Sequence, residues 1–253
     1  MVTVYIKFFS EWILMRLDKY LVEEGYFESR NRALEAIKAG QVSVNGKQAK
    51  PSTKVDETVT VEVADAKFYV SRAARKLEAF LQSHPVELEG KSAVDIGSST
   101  GGFAQILLEH GIAKLDCVDV GSDQLHHSLR KDGRVSVHEQ TDIRAFESAE
   151  RYGTISCDVS FISILQIIED IDRLADAGAD ILILYKPQFE VGKDVRRDSK
   201  GVVQDMDAIA RRKEAFEAEA QRLGWDLVYH APSTVAGKEG NTEYFYHFVK
   251  IRD

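Results

Sequence analysis

The chain has 253 residues, a formal charge of −8, 44% hydrophobic and 29% charged residues. That length gives one large domain or two modest ones and lets roughly 75% of the unfolded surface be buried, so no disulfide or metal staple is needed, and the ordinary hydrophobic and charged shares exclude wholesale disorder. Cys117 and Cys157 form neither a metal-binding nor a disulfide-framework spacing, so a cytoplasmic setting without a metal site is expected. The net charge by itself argues against a nucleic-acid partner. Its distribution argues the other way: residues 1–80 hold 13 basic and 11 acidic side chains, whereas 81–253 hold 20 and 30.

Residues 1–14 (MVTVYIKFFSEWIL) are apolar but interrupted by Lys7 and Glu11. They fall short of the ~18 apolar residues of a membrane span and lack a basic leader with a small-residue cleavage site. The segment reads as an interfacial anchor, or as a terminal strand, a loose end or over-read sequence ahead of a start at Met15. No stable membrane association is expected.

Leu17, Tyr20 and Leu21 recur at helical spacing and predict a short helix over 16–24, closed by Gly25. Ser29 caps a second helix whose Ala33, Ala36 and Ile37 face inward until Gly40. Val42 and Val44 alternate ahead of Asn45-Gly46, a hairpin signal, and 58–63 alternates again as a closing strand. Arg16-Leu17-Asp18, Leu21, Gly25, Ser29-Arg30, Ala33, Ile37, Gly40 and Val42 to Gly46 together resemble an S4-type RNA-binding domain, here placed at 15–63. Arg30, Arg32, Lys38, Lys47 and Lys50 would share one exposed side, suited to phosphates of structured RNA. Residues 64–70 read as a linker whose Lys67-Phe68-Tyr69 either meets RNA or tucks between domains.

From Ser71 strands and helices alternate. Strands are expected at 92–96, 114–120, 135–138, 154–158, 180–185, 225–231 and 243–249; helices at 71–82, 102–110, 123–130, 161–175 and 204–223. Short apolar strands between helices predict an α/β domain over 71–253, a mostly parallel seven-stranded sheet covered on both faces, with the last two strands closing one edge as an antiparallel hairpin.

The first of these strands ends in Asp95-Ile96-Gly97-Ser98-Ser99-Thr100-Gly101-Gly102-Phe103. A dinucleotide fingerprint needs glycine where Ser99 stands, and a P-loop needs Lys-Ser/Thr where Phe103 and Ala104 stand. The spelling is like the nucleoside loop of S-adenosylmethionine-dependent methyltransferases. Asp119, about 20 residues further on, is placed for ribose hydroxyls, and Asp142 for the adenine amino group. Lys76 interrupts an inward stripe of Ala73, Leu77 and Phe80; Asp158 and Lys186 end strands; Glu243 opens the last one. Two lysines and two carboxylates thus meet at one sheet edge.

Ser71 to Leu77, Asp95 to Phe103, Val118 to Gly121, Cys157 to Phe161, Lys186 to Glu190 and Gly240 to Glu243, read together, resemble the TlyA family. These are ribosomal-RNA cytidine 2′-O-methyltransferases, historically also called haemolysin A and related to FtsJ-type ribose methyltransferases. The resemblance implies a Rossmann-like methyltransferase fold, S-adenosyl-L-methionine as cofactor and a catalytic tetrad of Lys76, Asp158, Lys186 and Glu243. Cofactor contacts fall on Asp95, Gly97, Ser98, Ser99, Gly101, Gly102, Phe103, Asp119 and Asp142. Arg72, Arg75, Arg196 and Arg197 join the RNA-binding set, the last two on a loop, 190–202, that reads as a substrate lid or as a solvated loop. Lys186 would serve as general base or, staying charged, would stabilise the alkoxide. Ala73-Ala74 and Tyr185 depart from the family's usual glycines and aliphatic residue. Helix 69 of 23S rRNA in the large subunit is the implied target; some relatives also modify 16S rRNA and carry extra terminal sequence, so the end at Asp253 points to the 23S-only form. Amino-nitrogen methylation usually spells Asp/Asn-Pro-Pro-aromatic, where this chain has Asp158-Val159-Ser160-Phe161. Carbon-5 methylation needs a reactive cysteine, and both cysteines sit within strands. The alternative is an RNA-binding or haemolysin-like membrane-active protein without catalysis.

Overall fold

Apolar runs of four to six residues need cover on both faces, and the computed structural model of the chain supplies it with a seven-stranded sheet. The structure describes residues 2–4, 15–23, 26–27, 29–55, 59–64, 69–199, 201–235 and 240–251. The chain divides into two compact units, Met1–Arg72 and Ala73–Asp253.

In the first unit, β1 (Val2–Val4), β2 (Met15–Arg16), α1 (Leu17–Glu23), α2 (Arg30–Lys38), β3 (Val42–Val44), β4 (Lys47–Gln48), β5 (Lys54–Val55) and β6 (Val61–Val63) follow in order. A sheet in the order β1-β6-β3-β4 is antiparallel throughout, and β2 pairs with β5 separately. Ser29 caps α2, its hydroxyl accepting from Arg32 N at 3.3 Å. Asn45 and Gly46 both take positive φ (51° and 71°), the left-handed pair that a tight hairpin between β3 and β4 requires. Leu17, Leu21, Ala33, Ile37, Val42 and Val61 form its core. Val2–Val4 form a strand, as one reading of the leading segment holds. Residues 5–14, Gly25, Thr58 and the linker's Lys67 and Phe68 lie outside the described residues.

The second unit runs α3 (Arg72–Ser83), β7 (Ser92–Ile96), α4 (Gly102–Glu109), β8 (Lys114–Val118), α5 (His127–Arg130), β9 (Val135–His138), β10 (Tyr152–Cys157), α6 (Ile168–Leu174), β11 (Ala175–Tyr185), α7 (Pro187–Glu190), α8 (Met206–Arg222), β12 (Trp225–Pro232) and β13 (Tyr244–Lys250). The sheet order is β12-β13-β11-β10-β7-β8-β9, parallel except for β13 and β12. The chain winds outward from β7 through β8 to β9, then returns to the other side of β7 at β10. That reversal opens a crevice beyond the carboxyl ends of β7 and β10, where open α/β sheets hold ligands.

Three helices differ from the sequence expectation, each for a local reason. The helix expected over 123–130 is only α5, because Asp123 stands at φ 53° and His126, with extended ψ of 139°, is the cap from which α5 starts; the Glu139 carboxylate holds the turn before it, accepting from the N–H groups of Asp123, Gln124 and Leu125 at 2.7, 2.9 and 3.1 Å. The helix expected over 161–175 begins at Ile168, since Phe161 stands at φ 67° and Ser163 caps a separate turn at Ile164–Gln166. α7 has no counterpart among the expected helices; Pro187 opens it as its first residue, where a missing N–H costs nothing.

Candidate active site

Gly97 follows β7 at φ 76°, and a Cβ there would come within 2.9 Å of the Asp158 carbonyl oxygen. The loop can therefore pass beneath the end of β10 only as glycine. Gly101, at φ 90°, is hemmed by Leu129 and Leu125 and starts α4 without a side-chain cap. Asp95 supplies what the cap lacks: its carboxylate accepts from Ala104 N at 3.1 Å and from the Ser156 hydroxyl at 2.6 Å. Complete burial pushes its pKa up to about 7, the desolvation outweighing both hydrogen bonds.

Beyond the ends of β7, β8 and β10 lies a cleft of about 390 Å³, lined among others by Gly97, Ser99, Asp119, Gln124, Asp142 and Phe161. Asp119 Oδ2 accepts from Ser99 N at 2.8 Å and Oδ1 from Gly121 N at 2.7 Å. Each carboxylate oxygen keeps a lone pair, so both can still accept from a diol. Asp142 is gripped by Arg144, its Oδ1 accepting from Arg144 Nε at 2.9 Å, and the guanidinium holds its pKa down at about 2. Gln124, not singled out from the sequence, closes the wall by accepting from Ser99 Oγ at 3.0 Å. Of the expected cofactor contacts, Gly97, Ser99, Asp119 and Asp142 line the cleft. Asp95, Ser98, Gly101, Gly102 and Phe103 are not among its lining residues; Phe103 is in the core, stacked 5.8 Å from Phe245.

The four tetrad candidates gather as two ion pairs. Lys186 Nζ lies 2.5 Å from Asp158 Oδ1 and donates to Ser160 Oγ at 3.0 Å. Lys76 Nζ donates to Glu243 Oε2 at 2.5 Å. The β11–β13 register ends with Tyr185 opposite Tyr244, which sets Lys186 and Glu243 at neighbouring strand ends. Gln188 links the pairs: it sits two residues into the turn that Lys186 opens, and its Nε2 donates to Glu243 Oε1 at 3.2 Å. Phe80 stacks on Phe245 at 4.6 Å and fixes α3 over β13, so Lys76 reaches Glu243. In the stripe of α3 it is Ala74, not Ala73, that is buried with Lys76, Leu77 and Phe80.

The remaining candidates are placed as follows. Arg30, Arg32, Lys38, Lys47 and Lys50 are all exposed on the first unit, although Arg30 is also paired with Asp18 at 2.7 Å. Arg72 is exposed and Arg75 half-buried on α3. Arg197 spends donors on the carbonyls of Gln188 and Gly192, both at 2.9 Å, and Val203 N donates to Asn241 Oδ1 at 3.0 Å, so the loop after α7 is tied down to the Glu243 segment. Arg196 is exposed and donates to the Gln204 carbonyl at 3.3 Å. Cys117 and Cys157 are buried, and desolvation pushes both thiols up, away from nucleophilic chemistry. Among the described residues no group of His, Cys, Asp or Glu could hold a metal ion, and no helix is long and apolar enough to cross a membrane. Ser160 and Phe161 stood inside a motif without a role assigned; Phe161 is 91% exposed on the cleft, its ring 5.0 Å from Phe189.

Both units have known relatives. Residues 69–250 match the model of the FtsJ-like methyltransferase family, and residues 15–61 match the S4 domain. A Campylobacter jejuni protein named 23S rRNA (cytidine-2′-O)-methyltransferase TlyA is 44% identical, over 93% of this chain and all of that protein. The Mycobacterium tuberculosis 16S/23S rRNA (cytidine-2′-O)-methyltransferase TlyA is 40% identical, over 91% of this chain and 88% of its own length. The solved structure of a putative hemolysin from Streptococcus thermophilus superposes with a TM-score of 0.72 at 32% identity, covering 95% of this chain and 90% of that one.

Proposed function

Given that the chain belongs to the FtsJ-like methyltransferase family and to its TlyA group, we propose that it transfers a methyl group from S-adenosylmethionine to the ribose 2′-hydroxyl of a cytidine in ribosomal RNA. The observation that carries this reading is the pair of buried ion pairs, Lys186–Asp158 and Lys76–Glu243, the first of them reaching the cleft through Asp158. The names of the relatives supply the nucleotide and the rRNA class. Residues 71–253 form the methyltransferase domain in this reading, and 15–63 the RNA grip, in the cytoplasm. Helix 69 of 23S rRNA is the preferred target, with 16S rRNA as the second.

The cleft fits a nucleoside: Asp119 keeps acceptor capacity for a diol, and Asp142 stays ionised at any working pH. When bound there, S-adenosylmethionine supplies an electrophilic methyl group on a sulfonium. The chain's own part is to present the hydroxyl. Lys186, aimed by Asp158 and Ser160, meets the oxygen that attacks. Lys76 and Glu243, joined to α7 through Gln188, hold the second side of the site. Holding the reacting atoms in line is worth about 7–11 kcal/mol, against roughly 10²–10⁴-fold from proton transfer, so positioning is the larger contribution.

Mapping ribose methylation on rRNA from cells with and without the protein tests the reading, together with methyl transfer from labelled cofactor by Lys186→Ala. The expected result is one cytidine losing its methyl group and an inactive variant. An unchanged map, or a variant as active as the parent, overturns it.

A further inference from the structure

We infer that Glu190 is a positioning residue of the reaction centre, its carboxylate stapling the segment that carries Asp158 and Ser160 to the helix that Lys186 opens. Glu190 ends α7 and is 5% exposed. Its Oε2 accepts from the Ser163 hydroxyl at 2.5 Å and its Oε1 from Ile164 N at 2.9 Å. Both donors lie on the segment that leaves β10 at Asp158. Burial pushes the Glu190 carboxyl up, while these two hydrogen bonds and the charge of Arg212 favour its ionised form. A carboxylate in so dry a place needs its partners, and both bonds go to one neighbouring segment.

The geometry explains why such a staple is needed. α7 has only four residues, so it lacks a hydrogen-bond ladder long enough to hold its own direction. It grips the 158–164 segment at three places instead. Lys186 donates to Ser160 at 3.0 Å, the Phe189 ring lies 5.0 Å from that of Phe161, and Glu190 takes Ser163 and Ile164. The first of these belongs to the reacting pair and the second is exposed on one side. Glu190 is the buried anchor that sets where the Lys186 ammonium stands relative to Asp158. An error of about 1 Å at reacting groups can cost roughly 10²-fold in rate.

This inference rests on the proposed methyl transfer at Lys186 and Asp158. The test is a single-turnover rate at saturating RNA and cofactor, measured with the full chain alongside cofactor affinity and thermal melting. Glu190→Ala is expected to lose about 10²-fold in rate with the cofactor dissociation constant changed by less than about threefold, below half a log unit. Glu190→Gln is expected to recover most of the rate, since its oxygen can accept from Ile164 N while its amide donates to Ser163. If Glu190→Ala does not fold, Ser163→Ala removes half of the staple and should slow transfer by about tenfold, the weight of one hydrogen bond to a charged group. A parental rate in Glu190→Ala, or in Ser163→Ala where that stands in, overturns the staple alone, as does a folded Glu190→Gln as slow as Glu190→Ala. A parent chain that transfers no methyl group overturns the functional reading and the staple with it.

Discussion

Lys76 and Glu243 stand 167 positions apart in the chain, yet Lys76 Nζ donates to Glu243 Oε2 at 2.5 Å with side chains only 10% and 4% exposed. Removing one member of such a pair leaves a buried charge without its partner. Lys76→Ala should therefore destabilise the chain by about 3 kcal/mol or more, besides slowing methyl transfer. Urea unfolding checks the first effect and labelled-cofactor turnover the second; a variant of parental stability would show that the pair contributes nothing to the fold.

Asp95 predicts an unusual pH dependence. Its pKa rises from 3.8 in the open chain to about 7 when folded, so between those values the folded state holds the extra proton. The stability contributed is present below about pH 4 and lost as pH rises through 7. Asp95→Asn can keep both bonds, accepting from Ala104 N and donating to Ser156. It should be more stable than the parent at pH 8, with the difference fading towards pH 4, and denaturation across that range measures it. Its cofactor affinity should hold, whereas Asp119→Asn should weaken binding by about tenfold or more through loss of a charge-assisted acceptor.

Gly97→Ala would force a Cβ to within 2.9 Å of the Asp158 carbonyl at a φ of 76°. Either the loop or the end of β10 must shift, and Asp158 shifts with it. Turnover should drop by about 10²-fold; an alanine variant with parental turnover would show that the close approach is not needed.

The basic residues of the first unit predict a salt effect. Lys38, Lys47 and Lys50 are exposed, with Lys47 in β4 and Lys38 at the end of α2. Replacing each by Ala should lower the slope of log affinity against log salt by roughly 1 for every phosphate no longer neutralised, without changing which nucleotide is modified. Filter binding of an rRNA fragment over a salt series reads this directly, and an unchanged slope would place the RNA grip elsewhere.

Much of this architecture was legible before any coordinates. Apolar runs at 92–96 and 180–185 became β7 and the buried part of β11, and Asn45-Gly46 became the hairpin turn. What misled were positions where a distant side chain overrides local preference. The 123–125 stretch reads as helix, but the backbone turns out of the helical region at Asp123 (φ 53°), and the Glu139 carboxylate holds that turn by its N–H groups. Asp95 reads as a ligand contact within its motif, yet its carboxylate faces Ser156 and Ala104. No spacing rule reports either partner.

The sequence by itself determined the order of strands and helices, the glycines at sharp turns, the family and the identities of the four ionisable residues. Those follow from local sterics and from motif spelling, both carried by neighbouring residues. Pairing was decided only in the tertiary structure: Lys186 with Asp158, Lys76 with Glu243, and Glu190 with Ser163. The antiparallel register of β13 on β11 sets which strand ends are neighbours, and the stack of Phe80 on Phe245 sets how far α3 reaches across them. The strength of an ion pair depends on separation and on burial, quantities that exist only once the sheet has closed.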